Sequence, residues 1–503
     1  MANTLSVSVA LPVKSGDFQA QKRTLDASLV HGIAWTGAVK WGTQILTWGS
    51  TVVVARVLTP ADYGLVAIAS TLIGFVTMIN EFGLGTVVVT KRDLEERHVA
   101  QLNSLAVLLG LAGFLVSCGM AVPLSRFFGA PELTWVIVAM GASFLIGAFR
   151  TVPSALLEKD LQFKLLALVE GGQAIVASLF VLALALLGWG YWALVAGMIM
   201  GTAAWTVFTL WYRSHAFRWP VIQSLSDTMT FSWHLILMRV NWYVSTNADR
   251  FIVGKILGQA PLGSYSFACI LASVPIEKVT GLVNRVTPAF FSSMQKDYAS
   301  LRRYILNLTE GLALVTFPAT TGLALVADDF VFLFLGDQWK DVVVPLQIMA
   351  CYGAFRSIMT LLSPTLLVTG LSRLGMLNSI WCVLALLPAF YIGSRWGIIG
   401  VAVSWMVTHP LLTIPIYSIV FKHIDLPIGA YLRALWPAVS ACFVMVAIVL
   451  LLKQVLPTDW PLLIHMGLLG GVGAAAYLLT AWILHRARVM RFIDLLRTLR
   501  ANV

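Results

Sequence analysis

Charge is what this chain has least of. Only 11% of its 503 residues are Asp, Glu, Lys or Arg, where soluble domains carry about 25%. Hydrophobic residues make up 59%, and the mean hydropathy is +0.85. That balance excludes a water-soluble globular protein. The five cysteines, Cys118, Cys269, Cys351, Cys382 and Cys442, all sit inside apolar runs. They read as reduced packing residues, with no disulfide framework. No C-x-x-C or H-E-x-x-H pattern occurs, so neither a metal site nor a cofactor is expected. The N-terminal stretch holds no continuous apolar core ahead of a cleavage site. A polar cytoplasmic tail is expected there rather than a removable signal peptide. No connection between apolar runs is long enough for an extramembrane domain.

What is present is apolar sequence in lipid-sized pieces. A helix needs about 20 apolar residues to cross the hydrocarbon core. Fourteen segments qualify: 33–58, 62–90, 99–121, 132–157, 164–187, 190–212, 229–257, 262–290, 304–327, 341–368, 375–393, 397–420, 431–452 and 461–484. The expected fold class is an all-α polytopic membrane protein with about 14 transmembrane helices. With the N-terminus inside, the loop Lys and Arg residues gather on the cytoplasmic side, leaving only Arg126, Lys340, Arg395 and Lys453 opposite. Cytoplasmic loops are enriched in these residues, so both termini are expected in the cytoplasm. The same bias explains most of the net charge of +11, and no nucleic-acid partner is implied.

The chain also resembles itself. "ARVLTPADYGLVA" (55–67) matches "GKILGQAPLGSYS" (254–266) at an offset of 199, placing Arg56 on Lys255, Leu58 on Leu257 and Gly64 on Gly263. The same offset places Lys40 on Arg239. "GAFR" recurs at 147–150 and 353–356, and "GWGYWALVA" (188–196) meets "GSRWGIIGV" (393–401). Two parallel six-helix repeats followed by two C-terminal helices are expected. The boundaries are 1–31 for the cytoplasmic tail, 32–213 for the first bundle, 214–228 for a cytoplasmic linker and 229–421 for the second bundle. Residues 422–485 then hold helices 13 and 14, and 486–503 a basic amphipathic tail, which reads equally as a helix on the anionic inner leaflet and as a simple stop-transfer flank. Parallel repeats place a site between the halves near the midplane.

Ten basic residues fall inside or at the edge of the apolar segments: Lys40, Arg56, Arg150, Arg239, Arg250, Lys255, Lys278, Arg285, Arg356 and Arg433. The acids there are Glu81, Glu170, Asp249, Glu277 and Glu310. A charge at the centre of a lipid-facing helix costs at least about 2.5–3.5 kcal/mol, so these groups must pair or face water. In "STNADRFIVGKILG" (245–258), Asp249 and Arg250 are neighbours about 100° apart on a helix, so each needs another partner. Lys278 and Arg285, seven apart, share one face. If the bases converge they line a cationic cavity, which attracts anions, and the arginine fork suits phosphate. The candidate substrate-binding residues are Lys40, Arg150, Arg239, Asn247, Arg250, Lys278, Arg285 and Arg356. Glu81, Asp249 and Glu277 are candidates for ion coupling. Plainer roles stand beside these. Arg56 and Lys255 can snorkel to the interface, and Asp249 and Glu277 can be structural charges paired with other helices. His234, His409 and His465 read as hydrogen-bonded packing residues.

Four stretches carry a family likeness. "RVLTPADYGLVAI" (56–68), "NADRFIVGKILGQAPLGSYSFA" (247–268), "VPIEKVTGLVNRVTPAFFSSMQKD" (274–297) and "GLALVADDFVFLFLGDQWKDVVVPLQIM" (322–349) resemble polysaccharide-transporter flippases of the Wzx type. These form a branch of the multidrug/oligosaccharidyl-lipid/polysaccharide exporter superfamily. The likeness spans residues 31–420. It implies two bundles around a V-shaped central cavity and a non-enzymatic protein of the bacterial inner membrane. It also implies flipping of an undecaprenyl-diphosphate-linked oligosaccharide to the periplasmic leaflet, for exopolysaccharide or lipopolysaccharide assembly. The implied partners are that lipid-linked oligosaccharide, membrane lipids, a polysaccharide polymerase and chain-length machinery. A cation-coupled multidrug exporter would favour acids in its lumen, against the bases found here. A peptidoglycan-precursor flippase shares fold and charge. A polymerase or ligase would carry a sizeable periplasmic loop, and 122–131 and 328–340 are short. A scaffold has no use for ten bases in its spans.

Overall fold

Lipid offers the backbone no hydrogen bonds, so an apolar run crossing it satisfies its amides and carbonyls within a helix. The computed structural model describes residues 42–80, 84–90, 95–214, 216–219, 240, 243–292, 294, 297–457 and 460–501. Lys40, Glu81, His234 and Arg239, and the side chain of Arg285, lie outside the described residues.

Among the described residues the chain is helical and strand-free. In the first half, α1 covers 42–57, α2 Pro60–Asn80, α3 Leu84–Thr90, α4 Glu96–Phe128, α5 Leu133–Lys159, α6 Phe163–Leu186 and α7 Tyr191–Tyr212. In the second, α8 covers 243–256, α9 Gln259–Ser292, α10 Tyr298–Leu325 and α11 Ala327–Phe330. A π turn at Val331–Leu335 and a 3-10 turn at Asp337–Val342 lead into α12 (Val343–Met359) and α13 (Leu362–Val368). Then come α14 (Ser372–Gly393), α15 (Gly397–His423), α16 (Ile428–Val455) and α17 (Leu462–Ala501). Helix thus lies on each of the fourteen sequence segments. Ten stretches among the described residues are long and apolar enough to cross a membrane, α14 and α15 together forming one of them.

The helix ends have local causes. "TPAD" starts α2 with Thr59 as cap and Pro60 in the first turn, where a missing amide does no harm. Asp62 Oδ2 accepts from the Thr59 amide at 2.9 Å, and the Asp62 amide donates back to Thr59 Oγ1 at 3.3 Å, the reciprocal pattern of a capping box. Helix α4 ends at Gly129, whose φ of 66° suits a residue without Cβ. The Gly129 and Ala130 amides serve the carbonyls of Arg126 and Ser125, and the Phe127 carbonyl looks elsewhere. Asp297 caps α10 by accepting from the amides of Ala299 and Ser300 at 3.1 and 3.0 Å. Hydrogen bonds from Ser300, and behind them the Ala299 amide, hold its carboxyl below its ordinary value. The stability this cap contributes is therefore present above the ordinary Asp range and lost as pH falls through the lowered value. Asp297→Ala should remove that acid-side loss, read as thermal midpoints compared at neutral pH and near pH 3.

Helix α2 runs along α9, α4 along α5, α6 along α7, α14 along α15 and α16 along α17. The α2–α9 contact joins the two halves, and the largest core cluster sits there. It holds Leu65, Ile68 and Leu72 of α2 with Leu262, Tyr265 and Phe267 of α9, and the buried Trp339. The last two helices are tied to the second half at both ends. Lys453 meets Asp328 at 3.3 Å and His465 meets Asp329 at 3.0 Å. At the other end Arg488 meets Glu310 of α10 at 3.3 Å, and the same arginine joins α17 to α16 by donating to the Arg433 carbonyl at 2.8 Å. The basic tail begins as a continuation of α17 past a backbone break at His485 (φ −131°, ψ 29°).

Candidate functional site

The polar half of α8 lies where the two halves meet. Tyr243, Asn247 and Arg250 follow one another at spacings of four and three, so they share a face. Asn247 Nδ2 donates to the Tyr243 carbonyl at 3.0 Å, and Arg250 Nη1 donates to Asn247 Oδ1 at 2.9 Å. The Tyr243 hydroxyl crosses to the first half and donates to the Thr71 carbonyl of α2 at 2.7 Å. Arg250 is half-buried, and among the described residues no carboxylate lies within ion-pair distance of it. The asparagine orients the guanidinium without neutralising it.

Asp249 turns away, into the second half, and is only 4% exposed. Its Oδ2 accepts from the Tyr265 hydroxyl of α9 at 2.7 Å and from the Trp405 indole of α15 at 2.9 Å. Its Oδ1 accepts the Arg250 amide at 2.8 Å. One carboxylate thereby ties three helices together and is solvated by protein donors in place of water. Trp405 belongs to an aromatic group with Phe390, Tyr352 and His409 at ring separations of 5.2–5.7 Å. Within it the Tyr352 hydroxyl and His409 Nδ1 lie 2.8 Å apart. Arg356 stands one turn beyond Tyr352 on α12 and is exposed.

The other candidates are placed apart from this group. Lys278 donates to Gln44 Oε1 of α1 at 2.8 Å, a second polar bridge between the halves, and Glu277 beside it is exposed. Arg150 lies in the first half, its guanidinium 3.7 Å from the Trp205 ring centroid of α7, a cation–π contact. Among the described candidates, then, Asn247, Asp249 and Arg250 gather at the α8 junction. Sequence reasoning missed Tyr243, Tyr265 and Trp405. The available signal was a tyrosine or tryptophan inside an apolar span, whose polar tip needs a partner when buried.

Lipid-length helices, strand-free among the described residues, with hydrogen-bonded polar groups where the first and second halves of the chain meet, define a multi-pass membrane protein. The lipid II flippase MurJ, solved in an inward closed conformation, shares this fold. Its TM-score is 0.71 over 90% of this chain and 99% of its own, at 14% identity. The chain belongs to the polysaccharide biosynthesis protein family, whose model matches residues 53–344. The lipopolysaccharide biosynthesis protein WzxC of Escherichia coli is 23% identical over 76% of this chain and 79% of its own length. The succinoglycan biosynthesis transport protein ExoT of Rhizobium meliloti is 23% identical over 94% of this chain and 97% of its own. The relatives are polysaccharide biosynthesis and transport proteins.

Proposed function

We propose that this chain is a flippase of the bacterial inner membrane. It moves an undecaprenyl-diphosphate-linked oligosaccharide from the cytoplasmic to the periplasmic leaflet, with both of its own termini in the cytoplasm. The observation that carries the reading is Arg250, a half-buried guanidinium where the two halves of the chain meet, held by Asn247 with no described carboxylate within ion-pair distance. A diphosphate and its sugars cannot cross hydrocarbon unaided, because each unsatisfied polar group costs several kcal/mol. A cavity open sideways to lipid lets the prenyl tail stay in the bilayer while Arg250, with Arg356, holds the headgroup. The halves then rock about the α2–α9 seam. Asp249 is the coupling candidate.

The test is reconstitution. Purified protein in proteoliposomes with a labelled lipid-diphosphate oligosaccharide should expose the label to an added membrane-impermeant glycosidase. Protein-free liposomes should keep it protected. Efflux of a cationic dye without movement of any such lipid would favour the multidrug-exporter reading instead.

A further inference from the structure

The sequence self-match at an offset of 199 has a three-dimensional counterpart at one end of the molecule. A Cβ on Gly64 would lie 1.8 Å from the Gln259 carbonyl oxygen, and a Cβ on Gly263 would lie 1.8 Å from the Pro60 carbonyl oxygen. Pro60 and Gln259 are themselves 199 apart, as are Gly64 and Gly263. The first turn of α2 therefore packs on the first turn of α9 as two copies pack across a two-fold axis, each offering the other the same groups. Backbone meets backbone at both points, so no side-chain rotation relieves an added methyl.

The same offset pairs Arg56 with Lys255, and each of these crosses to the opposite half. Arg56 Nε donates to the Phe334 carbonyl at 3.0 Å, and its Nη2 donates to the Leu333 carbonyl. Lys255 Nζ donates to the Phe127 carbonyl and sits 4.4 Å from the Phe127 ring centroid. Each cation lands on the closing carbonyls of a helical segment, where unpaired acceptors and the negative end of the dipole gather. In return, the last carbonyls of α1 are taken by the second half. Gln338 Nε2 and Trp339 Nε1 donate to the Ala55 carbonyl at 2.8 and 2.7 Å.

From this reciprocity we infer that the repeats build a two-sided latch which seals one end of the junction. Its strikes are the Gly64–Gly263 contact and its bolts are Arg56 and Lys255. By the loop charges this is the periplasmic end. Releasing the glycosyl headgroup there requires both bolts to leave their carbonyls and the glycine turns to part. The inference deepens the two-half transport reading and rests on it. The bolts are unequal, since Gln338 and Trp339 reinforce only the Arg56 side.

Spin-label distances test the latch without any substrate, so its failure is separable from failure of the transport reading, which the liposome assay tests. In a cysteine-free chain, labels at Glu132→Cys and Lys340→Cys report the two halves at this end, since both positions are exposed. The parent should give mainly a short distance. Arg56→Gln with Lys255→Gln should raise the long-distance to short-distance ratio at least about tenfold, because both charge-assisted bonds across the junction are lost. Gly64→Ala and Gly263→Ala should each shift the distribution the same way. An unchanged distribution in the folded Gln pair overturns the latch, whether or not the alanine variants fold.

Discussion

Arg250→Gln should lower transport in the proteoliposome assay by about tenfold or more while the chain still inserts and unfolds near the parent temperature. Glutamine keeps an amide that can reach Asn247 Oδ1, so the local hydrogen bond at 2.9 Å has a substitute. What disappears is the charge and the two-pronged donor. Hydrogen bonds to charged groups contribute about 1.5–3 kcal/mol, and each 1.4 kcal/mol is about a factor of ten. Arg250→Lys should fall between the two, since it restores the charge without the fork. If Arg250→Gln transports like the parent, Arg250 has no part in holding the headgroup.

Asp249→Ala should act differently, on stability before transport. It strands the Tyr265 hydroxyl, which is fully buried, and the nearly buried Trp405 indole. Interhelical hydrogen bonds in membranes average only about 0.6 kcal/mol, which sets the floor. Leaving a buried donor unsatisfied costs more, about 1–3 kcal/mol each. A loss of about 2–6 kcal/mol is therefore expected, read as a lowered thermal midpoint in detergent. Asp249→Asn keeps an acceptor oxygen and should recover most of that stability. If alanine and asparagine unfold alike, the bonds to Tyr265 and Trp405 do not hold α8. If Asp249→Asn is stable but transports without regard to an imposed pH gradient, the carboxyl is the coupling group. Transport that still follows the gradient removes Asp249 from that role.

These two residues also show how far one dimension reaches. The scarcity of charge and the lipid-sized apolar runs determined an all-helical, multi-pass fold, because hydrocarbon leaves the backbone no alternative. The adjacency of Asp249 and Arg250 was enough to say that they point apart, since successive residues on a helix differ by about 100°. Their partners were not legible. Asn247 is local to Arg250, but Tyr265 and Trp405 lie 16 and 156 residues from Asp249, and no spacing rule links positions brought together by helix packing. Nor could the sequence divide its own basic residues. It grouped Arg150 with Arg250, whereas the fold stacks Arg150 on Trp205 within the first half. Arg56 and Lys255 looked like interface anchors, and packing turned each toward the carbonyls of the opposite half. The sequence by itself settled the solvent, the helices and the 199-residue echo. Only the tertiary structure decided which charges meet, because pairing across helices depends on rotation and separation that no local pattern records.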